Sequence, residues 1–146
     1  MAIFQKILVP VDGSNTSNKA LEWALKMAKS SGAQVRLLHS IDELSYLSGY
    51  EYSGEMIKMA RDQAERILVE GQQTAKAAGV ACDTRLIDSA GQRLGDTVAD
   101  AARDWGADLV VVGTHGRRGV GRVLLGSGAE QVIRCASVPV LIVRRA

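Results

Sequence analysis

The chain has 146 residues, which fits about one domain, 1–146, with a sizeable core. It is 47% hydrophobic but only 4% aromatic, so an ordinary globular core of Val, Leu, Ile and Ala is expected. A net charge of +2 is too small to imply nucleic acid, and no apolar run reaches membrane-spanning length.

In chain order, Phe4–Val11 is a β-branched and aliphatic run that reads as a first strand, ending in the turn Pro10-Val11-Asp12-Gly13-Ser14. From Asn15 to Ser31 the apolar residues Ala20, Leu21, Ala24, Leu25 and Ala28 recur at helical spacing, and Gly32 stands where a helix stops. Gln34–Ile41 reads as a second strand and Asp42–Gly54 as a loop. Glu55–Ala78 reads as a long helix closed by Gly79, with Met56, Met59, Ala60, Ala64, Ile67 and Leu68 as its inward stripe. The two methionines are expected to fill core space. Ala81–Ile87 is a third strand, Leu94–Trp105 a third helix ended by Gly106, and Leu109–Val112 a fourth strand. Gly126–Cys135 is a fourth helix, and Pro139–Arg144 a fifth strand with Pro139 tolerable at its first position.

Strands alternating with helices predict the α/β class: a single-domain, five-stranded parallel sheet with helices on both faces, Rossmann-like or flavodoxin-like. Such sheets bind ligands beyond the carboxyl ends of their strands, where the strand order reverses. The first and fourth strands are then expected to deliver Asp12 and Gly113 to one crevice.

Cys82 and Cys135 lie far apart and lack metal-ligand spacing, so both read as buried small hydrophobes. The short apolar run Ile7–Val11 passes straight into a turn, so no signal peptide is expected. A cytoplasmic location and no membrane partner are the resulting expectations. Arg144 and Arg145 read as a solvated end.

The most informative segment is 113–127, Gly-Thr-His-Gly-Arg-Arg-Gly-Val-Gly-Arg-Val-Leu-Leu-Gly-Ser. It leaves an apolar strand and enters a helix, the position at which an α/β fold cradles phosphate. No Gly-Lys-Ser/Thr follows, so it is not a Walker A loop. The first turn has one glycine, so it is not a dinucleotide fingerprint either. The spacing is Gly113-x2-Gly116, nine further residues, then Gly126-Ser127. Ser127 can offer a hydroxyl to phosphate, the helix start offers N–H groups and a favourable dipole, and Gly128 adds an unhindered amide. The plainer alternative is a surface loop in which Ser127 only N-caps a helix. Arg117 can pair with phosphate or remain solvated. Asp12 reads as a ribose or metal-water contact, or as a turn residue. His115 reads as a packing or phosphate hydrogen-bonding group rather than a catalyst. His39, in an apolar strand, reads as a satisfied core histidine.

The stretch Val111-Val112-Gly113-Thr114-His115-Gly116-Arg117-Arg118-Gly119, with Leu124-Leu125-Gly126-Ser127 and Val138-Pro139-Val140-Leu141-Ile142-Val143, resembles the universal stress protein family. Ile7-Leu8-Val9-Pro10-Val11-Asp12-Gly13-Ser14, Leu37-Leu38-His39 and Trp105-Gly106-Ala107-Asp108-Leu109 carry the resemblance over nearly the whole chain. It implies an adenine nucleotide alpha hydrolase-like fold. The complete Gly-x2-Gly-x9-Gly-Ser motif resembles the ATP-binding branch. The resemblance further implies that Pro10, Val11 and Asp12 contact adenine and ribose, with the Ser40 backbone at the adenine edge. Gly113, Thr114, His115, Gly116, Arg117, Arg118 and Gly119 would wrap ribose and phosphates. Gly126, Ser127, Gly128 and Ala129 would hold the distal phosphates. Relatives often carry Val at the Ser40 and Gly128 positions, and glycine at the latter loosens the helix start by up to ~1 kcal/mol. The implied cofactor is ATP, with Mg2+ held mainly by the phosphates.

The implied function is an ATP-binding regulatory protein of the stress response with an unknown partner protein. It would work as a homodimer joined through the last strand, Val138 to Val143. A slow ATPase or phosphoryl-transfer enzyme is the first alternative, opposed by the lack of an acidic pair for magnesium and of a base beyond Asp12 and His115. A nucleotide-free dimeric module is the second. A nicotinamide oxidoreductase is disfavoured by the missing fingerprint.

Overall fold

The computed structural model describes residues 3–41, 54–89, 91–114 and 125–144. Its elements are β1 (Lys6–Pro10), α1 (Asn15–Ser31), β2 (Gln34–Ile41), α2 (Gly54–Ala77), β3 (Cys82–Asp88), α3 (Leu94–Trp105), β4 (Leu109–Gly113), α4 (Ser127–Cys135) and β5 (Val140–Val143). All strand pairings are parallel, in the order β3-β2-β1-β4-β5. This is the α/β sheet expected, and the order is Rossmann-like rather than flavodoxin-like, because β1 lies between β2 and β4.

The strand period of two divides the core between two layers. Ile7, Val9, Val35, Leu37, Leu109 and Val111 pack with Ala20, Leu21, Ala24 and Leu25 of α1 and with Leu68 and Ala75 of α2. Leu8, Leu38, Val110 and Val112 face the other way, onto Val98 and Ala102 of α3 and Ala129 and Val132 of α4. Burying a side chain of this size stabilises by roughly 2 kcal/mol, so both sheet faces need their helices.

The amino-terminal end of the sheet is closed by side chains. Asp108 accepts the N–H groups of Gln5 and Lys6 at 2.8 and 3.1 Å. Arg36 grips Asp83 with two bonds of 2.9 Å, and its guanidinium lies 4.5 Å from the Trp105 ring centroid. That partner holds the Asp83 carboxyl below its ordinary range. Burial, helped by Asp83, pushes the adjacent Cys82 thiol up to about 11.

Several boundaries differ from the sequence reading. β1 starts at Lys6, two residues later than expected, and ends at Pro10. Gly54 opens α2 rather than closing a loop, and α2 ends at Ala77. β3 is shifted one residue onward, to Cys82–Asp88, and β4 extends through Gly113. β5 begins at Val140, since Pro139 has no N–H to donate, although its carbonyl accepts from Val110 at 3.0 Å. Met56 and Met59 are 53% and 69% exposed, whereas Ala64 and Leu68 of the expected stripe are buried and the buried face of α2 continues through Gly71 and Ala75. Cys82 is half-buried and Cys135 exposed, the latter because α4 ends there and turns the sulfur to Asp96 Oδ1 at 3.5 Å. Among the described residues no helix is long and apolar enough to cross a membrane.

Candidate nucleotide site

The strand order reverses between β1 and β4. The helix after β1 packs on one face of the sheet and the helix after β4 on the other, which opens a crevice between the two strand ends.

The β1 side is built by side chains. Pro10 ends the strand half-buried, and Val11, buried, gives its N–H to the Leu38 carbonyl at 2.8 Å. The Val11 carbonyl lies 2.6 Å from His39 Nδ1. Asp12 gives its N–H to Ser17 Oγ at 3.1 Å, and its Oδ1 accepts the Ser14 N–H at 2.9 Å. Gly13 between them has φ +82°, a left-handed conformation that glycine adopts without strain. Ser14 is the N-cap of α1, its Oγ accepting from Ser17 N at 3.2 Å. Asp12 therefore has the turn role the sequence allowed, with a half-buried side chain at the mouth of the crevice. Ser40 stands on β2 two residues past Leu38, the register partner of Pro10, which puts it level with this turn.

The β4 side is built by backbone. Gly113 ends the strand against the first turn of α1. A Cβ there would stand 2.7 Å from the Thr16 carbonyl carbon and oxygen. Thr114, buried, gives its N–H to the Val143 carbonyl at 2.9 Å, while its own carbonyl accepts from Gly126 N at 2.5 Å. The chain thus re-enters at Gly126 within one hydrogen bond of where it left β4. His115, Gly116, Arg117, Arg118 and Gly119 lie outside the described residues.

The N-cap of α4 is Gly126, in extended conformation, and not Ser127. The Gly126 carbonyl accepts Glu130 N at 3.0 Å, which makes Ser127 the first helical residue, with an exposed side chain. No side chain caps this helix start. Gly128 faces α3, where a Cβ would stand 2.9 Å from Leu94 Cδ2, and Ala129 is buried beneath.

The structure thus gathers Val11, Asp12, Gly113, Thr114 and Gly126, with Ser127 and Gly128 just inside α4. A helix start without a side-chain cap, beside a glycine-lined strand exit, is chemically suited to an anion. No group of three or more His, Cys, Asp or Glu placed to hold a metal occurs among the described residues. The groups on the sheet with displaced pKa values, Arg36, Cys82 and Asp83, are at its opposite end. The sequence reading placed Ser14 in the first turn but gave it no capping role, and missed Ser17. The pattern Gly13-Ser14-x-x-Ser17 ahead of an apolar helix is a capping signal that could have shown them.

The profile of the universal stress protein family matches residues 3–144. A universal stress protein of Methanocaldococcus jannaschii is 32% identical over 98% of this chain and 84% of its own length. The crystal structure of a universal stress protein family member from Burkholderia pseudomallei is 31% identical, covers 98% of each chain and superposes with a TM-score of 0.79. A crystal structure described as a universal stress protein in complex with cAMP is 28% identical, covers 96% of each chain and has a TM-score of 0.68.

Proposed function

The chain belongs to the universal stress protein family, and from that premise we propose that it binds an adenine nucleotide between β1 and β4 and acts as a nucleotide-dependent regulatory protein of the stress response. The observation that carries this reading is the start of α4. Its N-cap lacks a side chain, and it sits at the strand reversal, one hydrogen bond from the exit of β4. The related protein described in complex with cAMP supports the adenine part of the ligand.

In this reading Pro10, Val11 and Asp12 meet adenine and ribose, with the Ser40 backbone at the base edge. Gly113 through Gly119 wrap ribose and phosphates, and Gly126, Ser127, Gly128 and Ala129 take the distal phosphates. ATP is the ligand that uses the whole Gly-x2-Gly-x9-Gly-Ser motif. Its Mg2+ would be held mainly by the phosphates, with Asp12 the carboxylate that the first turn brings to the crevice. The protein works as a single domain, in the cytoplasm, and pairs with a second copy along β5. That strand is an edge of the sheet, with Val140, Leu141 and Ile142 partly exposed, and an apolar edge calls for a cover.

The test is native purification followed by mass spectrometry of the nucleotide released on denaturation, with calorimetric titration of ATP. ATP is expected to co-purify and to be lost in Gly126→Val. A protein that releases no adenine nucleotide and binds none at millimolar concentration overturns the reading.

A further inference from the structure

We infer that His39 is a positioning residue for the adenosine end of this site, acting through the Val11–Asp12 peptide unit; the inference rests on the nucleotide reading above. The carbonyl of Val11 and the N–H of Asp12 belong to one peptide group. His39 Nδ1, reaching across from β2, lies 2.6 Å from that carbonyl, and Ser17 Oγ, reaching back from α1, lies 3.1 Å from that N–H. The peptide is held at both edges by side chains from two different elements. A carbonyl oxygen can only accept, so the ring carries its hydrogen on Nδ1, and this bond fixes the tautomer.

The place of this grip gives it a function. β1 stops at Pro10, and beyond it the chain must leave the sheet through Gly13 at φ +82°. The orientation of the Val11–Asp12 peptide sets the direction of the Asp12 Cα–Cβ bond, and so where its carboxylate stands. Oδ1 of that carboxylate accepts the N–H of Ser14, the α1 cap. The imidazole therefore acts at one remove from the ligand: it aims a backbone segment and a carboxylate that the nucleotide would touch.

Three titrations test this on the full chain, using AMP, ATP and inorganic tripolyphosphate with the wild type, His39→Leu and His39→Asn. Leucine fills the space without a donor; asparagine places an N–H near the position of Nδ1. Losing one well-placed hydrogen bond that orients the binding surface corresponds to about tenfold in affinity. His39→Leu is expected to weaken AMP and ATP by the same factor, about tenfold, and to leave tripolyphosphate unchanged. His39→Asn is expected to recover most of the loss. Unchanged AMP affinity in His39→Leu overturns the inference, as does a loss that extends equally to tripolyphosphate, which marks general loosening. A wild type that binds neither AMP nor ATP overturns the nucleotide reading and this inference with it. Should His39→Leu fail to fold, 15N spectra of the wild-type ring decide: Nδ1 is expected to be protonated, and a ring carrying its hydrogen on Nε2 refutes the grip.

Discussion

Helix α1 opens on Ser14, whose hydroxyl accepts the Ser17 N–H at 3.2 Å, whereas α4 opens on Gly126, which has no side chain to cap with. Both helices start at the same crevice. The first turn uses its polar groups on itself: Asp12, Ser14 and Ser17 bond one another, and His39 holds Val11. The α4 start has no side-chain cap for its leading amides. One arm of the crevice is stiff and orienting; the other is built to receive negative charge. The contrast separates residues whose loss should lower stability from residues whose change should alter binding.

The largest expected effect lies where the two arms touch. In Gly113→Ala the added carbon meets the Thr16 backbone at 2.7 Å, and backbone cannot swing away. A destabilisation of about 2–3 kcal/mol in urea unfolding is expected, the upper part of the range for overpacking. Gly128→Ala is the control, because its carbon meets only the end of the partly exposed Leu94 side chain at 2.9 Å. Alanine also favours the helix by up to ~1 kcal/mol, so this variant should stay within about 1 kcal/mol of wild type. Equal stabilities of the two variants would show that Thr16 does not brace Gly113.

Next in size is the cap. Ser14→Ala removes the acceptor for Ser17 N and is expected to cost about 1 kcal/mol, measured by the same unfolding experiment. Because Ser14 also donates its N–H to Asp12, which alanine preserves, nucleotide affinity should fall by less than stability alone would suggest. A cap deletion without cost would mean that the first turn is held by the Asp12 and His39 bonds alone.

The sequence made much of this legible, for reasons that can be traced residue by residue. The bounds of α1, β2 and α3 agree to the residue with the reading, since apolar spacing and a following glycine or turn mark each one. Gly32 and Gly106 are left-handed at the two helix ends where glycine was expected to stop the chain. The expected α2 stripe holds at Ala64, Ile67 and Leu68 but fails at Met56 and Met59, because methionine is apolar enough to extend a helical pattern beyond the part that touches the sheet. Strand order was open between two families of sheet, because adjacency depends on pairings such as Ile7 with Leu109, far apart in the chain. Asp12, Gly113 and Gly126 could be placed at a crevice because strand ends and helix starts are local features. The grip of His39 on Val11 could not, since it exists only once β1 and β2 lie side by side.

The smallest effect on stability gives the sharpest view of the contrast. Gly126→Ser gives α4 the kind of cap α1 already has. Gly126 sits at φ −69°, ψ 159°, an extended conformation that serine adopts without strain. The new hydroxyl would accept the N–H of Gly128 or Ala129, the amides that an N-cap side chain reaches. Stability should rise by a few tenths of a kcal/mol, the difference between glycine and serine at this position. The same amides are those proposed to hold the distal phosphates, so the hydroxyl competes with the ligand. ATP affinity should fall several-fold while AMP affinity changes little. The ratio of the two, measured by calorimetry, is then the quantity that decides. A variant that gains stability and keeps its preference for ATP would place the phosphates elsewhere and leave α4 as an ordinary helix that happens to start on glycine.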